Sequence, residues 1–402
     1  MFAYLCANSI HLAKNVRTAQ GATALVSSDS QNYLDFAQQF LHGNFSMDYM
    51  RDIPHRQPLY PLLLAAATKL GNGNLFFLGE INVLAMTLAI GSVYYGIVRV
   101  FRSHFVGAII ALCVACNPFF WRIAAARLLT EPLYALILIW LIIAFLLYLQ
   151  ERKLHWILFG SFFAGLDYLT RPNGVFDAAA FLGVLFLAEC IAPVQLDRRN
   201  EGFLMGAVRL VPRYLGALLV LIVVTTPSWI PRLIYFGDPL HHGYLTNFLW
   251  VDSYHLAHDV PQQRDPIYSW HDYVMTHNLW DALRRIIHGA WKVCIVIPIV
   301  NERVPILYFL GCAGIWKTVR KGPKEVQFLL LFFIIQLFPF IWTNLANPTR
   351  RVPYGSTFPF EPFFAASFLA LFAVQLEDFF ARRFGHERRT AAPDQLPNHG
   401  MP

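Results

Sequence analysis

Apolar residues run in long blocks along this chain, at roughly 75 to 101, 104 to 120, 128 to 149, 155 to 170, 174 to 192, 212 to 236, 302 to 317, 326 to 343 and 358 to 377. In lipid the backbone must satisfy its own hydrogen bonds, which leaves only helices or closed barrels, and these blocks outrun the roughly 10 residues of a barrel strand. The pattern predicts an all-α, polytopic membrane protein of about ten transmembrane helices, counting an apolar segment from Met1 to Ala13 that falls short of the about 20 residues a span takes. Two polar stretches interrupt the blocks, residues 14 to 60 and 237 to 301, and they are expected to be outer loops of one transmembrane domain covering 1 to 377. Residues 378 to 402, rich in Arg and Pro, are expected to be a disordered cytoplasmic tail.

The first of these stretches has a pattern of its own. Ser28 is placed to cap a helix, apolar residues recur at Tyr33, Phe36, Phe40 and Leu41, and Gly43 ends the run. The other face carries Asp29, Asn32, Asp35 and Gln39, so this helix is expected to lie along a membrane surface with its acids toward water. The stretch closes on Arg56-Gln57-Pro58-Leu59-Tyr60-Pro61, a cation held between prolines at a membrane entrance.

Composition agrees with the pattern. Of 402 residues 56% are hydrophobic and 14% charged, with a mean hydropathy of +0.44, where a soluble domain carries about 25% charge. The net charge of +7 is spread in short clusters between apolar runs, which is topological charge and excludes a nucleic-acid partner. With the first loop set outside, Arg152-Lys153, Arg198-Arg199, Lys317 to Lys324 and the basic tail all fall inside, as the positive-inside rule asks. Glu80, Glu131, Asp167, Arg171, Asp177 and Glu361 then lie near the outer ends of their helices, with Glu189 near an inner end. Charges beside spans are costly and mark a hydrophilic chamber, although ordinary helix ends carry the same residues. The pair Cys113 and Cys116 lacks a second pair, and no metal site is assigned.

The stretch from 237 to 301 holds half of the fourteen histidines. Asp252, His255, His258 and Asp259 match no zinc signature and read as solvated loop residues. Residues 282 to 300 are expected to form a surface-lying helix, because Arg284, Arg285, His288 and Lys292 recur close together.

Several elements, taken in order, carry a family resemblance. They are the Asp29 loop, Gln57 to Gly71, Thr130-Glu131-Pro132-Leu133-Tyr134, Leu169-Thr170-Arg171-Pro172-Asn173-Gly174, Phe236-Gly237-Asp238-Pro239, and Arg350-Arg351 before the last helix. Together they resemble the GT-C class of membrane glycosyltransferases, which includes protein O-mannosyltransferases, the lipid A aminoarabinose transferase and the Rgt-like transferases. The resemblance implies a full first span, so the short N-terminal segment is expected to reflect a late-assigned start. The function it implies is transfer of a sugar from a polyprenyl-phosphate donor to a glycan, lipid or protein acceptor outside the cytoplasm, in a bacterial inner membrane with the active site facing the periplasm. Asp29 stands where the family's catalytic Asp is found, with Asp35 and Asp52 as alternatives. Arg56 and Arg351 are assigned to the lipid phosphate because arginine offers a permanent charge and a bidentate fork, with Arg350, Arg171 and Tyr60 also in substrate binding. Glu131 resembles the acid of the family's second outer loop and would position the acceptor or a divalent cation; no cofactor is assigned with certainty. Two rival classes share this composition. A flippase or transporter of lipid-linked sugars would show repeated halves and broken helices at mid-membrane, and a surface-polysaccharide ligase or polymerase would place its arginines and histidines in large outer loops.

Overall fold

The computed structural model describes residues 2–17, 26–43, 56–118, 123–125, 127–191, 203–241, 248–253, 268–301, 306–344 and 351–384. Among them regular structure is entirely helical. The chain opens with α1 (Phe2–Arg17) and α2 (Ser28–His42), then α3 (Leu59–Leu70), α4 (Leu75–Phe101) and α5 (His104–Ala115). It continues with α6 (Glu131–Glu151), α7 (Leu154–Thr170), α8 (Gly174–Ile191) and α9 (Phe203–Phe236). Beyond the second polar stretch come α10 (Trp270–Thr276), α11 (Leu279–Trp291), a π turn at Lys292–Val296, α12 (Ile297–Asn301), α13 (Ile306–Lys321), α14 (Lys324–Thr343), α15 (Arg351–Thr357) and α16 (Glu361–Phe384).

Helix α6 is the axis of the bundle. It is apolar all round, and from Leu133 to Leu149 nearly every side chain is buried, which is the mark of a helix surrounded by others. Its neighbours are α4, α7, α8, α14 and α15. Tyr134, one turn into α6, bonds Asp177 at the start of α8, and Tyr148 near its end bonds Glu189 near the end of α8. Helices α6 and α8 therefore run parallel with α7 returning between them, as alternating spans require. Gly174 makes the α7–α8 turn possible, since a Cβ there would stand 2.2 Å from the Tyr168 backbone nitrogen.

Among the described residues four helices are long and apolar enough to cross a membrane: Leu75–Phe101, Glu131–Glu151, Leu210–Phe236 and Lys324–Thr343. Other expected spans are shorter. Within the block read as 104 to 120, α5 ends at Ala115: Asn117 donates to the Tyr354 hydroxyl, at 2.8 Å, and Pro118 has no N–H to continue the ladder. Helix α9 keeps its helical course through Pro212, Pro227 and Pro231. Beside the last two prolines Thr225 and Thr226 donate back to the Leu221 and Ile222 carbonyls, and Arg232 donates to that of Ser228.

Candidate active site

The amphipathic helix of the first polar stretch forms as α2, with one shift. Its cap is Ser27 rather than Ser28, accepting from the Ser30 amide, and Gly43 closes it at φ 63°. Tyr33, Phe36 and Ala37 are buried on one face, while Asp35 is exposed and held by Gln31 at 2.7 Å. Asp29 stands in the first turn of the helix rather than ahead of it, where its charge also suits the helix dipole.

Arg56 meets Asp29 here. Its Nη2 donates to Asp29 Oδ1 at 2.7 Å, its Nη1 donates to the Tyr33 hydroxyl at 3.1 Å, and its guanidinium lies 4.8 Å over the Tyr33 ring. Asp29 is the more accessible partner, 36% exposed against 16% for Arg56. Tyr33 in turn packs edge-on against Tyr60, at 5.3 Å between centroids. Tyr60 is fully buried and close enough to Glu131 to feel its charge.

The floor under Arg56 comes from α9. Ser228 donates to Gln57 Oε1 at 2.7 Å, and Arg232, which is 5% exposed, contacts Ser228, Gln57 and the Arg56 carbonyl. A second cation thus stands directly behind Arg56. The sequence pattern does not single out Arg232; the usable signal is an arginine set between Pro231 and Gly237-Asp238-Pro239.

A second polar group lies at the same end of the bundle. Glu131, which is 1% exposed, stands 3.8 Å from Arg171, whose guanidinium lies 5.4 Å over the Tyr134 ring. Tyr134 donates to Asp177 at 2.9 Å and accepts from Ser356 at 3.3 Å, and Asp167 is buried beside Asp177. Glu131, Asp167, Arg171 and Asp177 therefore do converge. Glu361 opens α16 with its backbone against Gly311 of α13, and Glu189 is held at the other end of the bundle by Arg213 at 2.7 Å. Arg351 opens α15, and Arg350 and Asp52 lie outside the described residues, as do His255, His258 and Asp259. Asp252 is described, and it pairs with Arg285 and His277 rather than standing solvated and alone.

As to metal, the described residues contain no group of three or more His, Cys, Asp or Glu side chains that could hold an ion. Asp167 and Asp177 supply two adjacent buried carboxylates, and no step is derived through a metal.

Arg285 corrects a further expectation. It is not part of a wet basic face: it is fully buried, donating to the Trp342 carbonyl at 2.6 Å and the Phe248 carbonyl at 2.8 Å, pairing with Asp252 at 2.9 Å, and lying over the Trp342 and Tyr273 rings.

Against solved structures, the oligosaccharyltransferase of Archaeoglobus fulgidus, in its complex with zinc and sulfate, superposes over 97% of this chain and 51% of its own, at a TM-score of 0.56 and 16% identity. ArnT of Cupriavidus metallidurans bound to undecaprenyl phosphate superposes over 92% of this chain and 59% of its own, at a TM-score of 0.53 and 15% identity. The fold is GT-C-like. The chain spans between half and three fifths of the length of these two GT-C structures. No family model matches it, and no curated protein matches it by sequence. Within a GT-C-like fold the Asp29–Arg56 pair stands at the bundle end that also holds Glu131 and Arg171, with Tyr33 and Tyr60 packed in one apolar cluster with Leu128 and Leu133.

Proposed function

We propose that this chain is a membrane glycosyltransferase that moves a sugar from a polyprenyl-phosphate donor to an acceptor hydroxyl at the outer surface of a bacterial inner membrane. The observation that carries the reading is the Asp29–Arg56 pair: a half-exposed carboxylate bonded at 2.7 Å to an arginine, with the buried Arg232 behind it. Transfer of this kind needs a proton acceptor within reach of a phosphate-binding cation, and the pair brings the two together. The likeness to ArnT, whose structure holds undecaprenyl phosphate, supports the donor class.

In the proposed step the donor phosphate docks on Arg56, with Arg232 adding charge from below. Asp29 accepts the proton of the acceptor hydroxyl. That oxygen forms the new bond to the anomeric carbon, and the bond from that carbon to the phosphate oxygen breaks, its electron pair leaving with the phosphate. Glu131 and Arg171 orient the acceptor, with Tyr60 as the wall between the two groups. Arg350 and Arg351, at the entrance to the last helices, are proposed to meet the same phosphate. The fold around this site is proposed to comprise about ten membrane helices, with α2 as an outer surface helix.

The test is incubation of the purified chain, in lipid, with a panel of polyprenyl-phosphate sugars, reading release of the free lipid phosphate. One donor is expected to lose its sugar, and Asp29→Asn is expected to slow that loss by about 100-fold or more, the usual share of a general base. Release by Asp29→Asn at the unaltered rate refutes the assignment of Asp29; no release from any donor refutes the activity.

A further inference from the structure

Helix α11 turns one face to the bundle and an apolar one away from it. Its inner face is set by Gly289, where a Cβ would stand 1.9 Å from the Ile341 carbonyl oxygen, and by Arg285, bonded to the Trp342 carbonyl. Both contacts fall in the closing turns of α14, which is a membrane-crossing helix by length and composition and ends at Thr343. So α11 lies at the depth where a span leaves the bilayer, and its outward residues face lipid rather than bulk water.

Those outward residues are Trp280, Ile287 and Trp291, exposed by 69, 58 and 59%. Tryptophan at this depth is typical of the interface between hydrocarbon and headgroups. In the middle of the stripe, however, stands Arg284, exposed as well, followed one and two turns on by His288 and Lys292. Trp280, Arg284, Ile287, His288 and Trp291 together line a hollow of about 540 Å³. Among the described residues no carboxylate pairs with Arg284 or Lys292; Asp281, the nearest acid in sequence, is turned back to cap the Asn278 amide at 3.0 Å. Burial first, then the charges of Lys292 and Arg284, hold His288 below its ordinary value of 6.5, which agrees with cations gathered on one row. A cation on a lipid-facing stripe must reach an anion at the surface, and the anion available there is a lipid phosphate, which a guanidinium grips with paired hydrogen bonds.

We propose that this hollow seats one anionic phospholipid of the bilayer, its phosphate on Arg284, with Lys292 adding charge from two turns on, and its glycerol end against Trp280, Ile287 and Trp291. The site is separate from the proposed reaction centre and does not depend on the sugar-transfer reading. The full chain is reconstituted in nanodiscs of phosphatidylcholine containing phosphatidylglycerol, and native mass spectrometry counts the lipids retained on release. The wild-type chain is expected to keep phosphatidylglycerol over phosphatidylcholine by about 30-fold, the combined attraction of two surface cations at about 1 kcal/mol each. The double variant Arg284→Gln, Lys292→Gln is expected to lose that preference while keeping wild-type tryptophan emission, and Arg284→Lys to keep part of it. Millimolar inorganic phosphate is expected to leave retention unchanged. Equal retention by the wild type and the double variant overturns the proposal, and so does displacement of the lipid by free phosphate.

Discussion

Replacing Arg285 with methionine keeps the aliphatic stem and removes the fork, so it isolates what the charge does. The cost can be worked from its partners. Two carbonyl oxygens, of Trp342 and Phe248, lose a charged donor inside the protein, at about 1 to 3 kcal/mol for each buried group left unsatisfied. Asp252 loses an ion pair, but it is 37% exposed and keeps His277 at 3.2 Å, so rehydration covers most of that loss. Against these stands the relief of no longer burying a guanidinium, which offsets part of the total. The balance is about 3 kcal/mol, or about a hundredfold in the local opening equilibrium. Hydrogen–deuterium exchange in nanodiscs reads it directly. Arg285→Met is expected to speed exchange at residues 248–253 and along α10 by about that factor, with the span α6 unchanged. Exchange within about threefold of wild type at 248–253 would show that the buried contacts of Arg285 hold nothing together.

Three further outcomes are expected. Arg56→Ala should raise the KM for the lipid donor by about 10-fold or more, the weight of a hydrogen bond to a charged group, with Arg56→Lys between it and wild type in a donor titration. Gly289→Ala should force α11 off the Ile341 carbonyl, costing about 1 to 3 kcal/mol and lowering the thermal midpoint in detergent. In the cap of α10, the Ser269 hydroxyl and then its amide hold the Asp272 carboxyl below its ordinary 3.8. The cap therefore stabilises α10 above that ordinary value and fails as pH falls through the lowered one; Ser269→Ala, which keeps only the amide bond, should weaken this dependence in the exchange rates of residues 270–276.

Much of the fold was legible because lipid leaves the backbone few choices. The apolar block 75 to 101 coincides with α4, and the cap-to-glycine pattern of α2 needed only the move from Ser28 to Ser27. The pattern failed where a distant partner decides the matter. Periodicity runs through Asn117, yet α5 ends at Ala115 and that side chain donates to the hydroxyl of Tyr354. In the same way Arg285 reads like Arg284, its neighbour in sequence, and only the approach of Trp342 and Phe248 separates a buried clamp from a surface charge. At the candidate site the motif order named both Asp29 and Arg56, whereas Ser228 and Arg232, on a helix more than a hundred residues away in the chain, carried no local sign of meeting Gln57.

Helices α6 and α8 are joined at both extremities, Tyr134 to Asp177 and Tyr148 to Glu189, two tyrosines about 21 Å apart along one axis. Like a plank dowelled twice, such a pair can neither slide nor swivel without breaking a joint in the dry interior. On the proposed function, the opening that admits the lipid donor is therefore made by its surroundings, the α2–α3 arm and the proline-bearing end of α9. The interior column would then keep still while the periphery breathes.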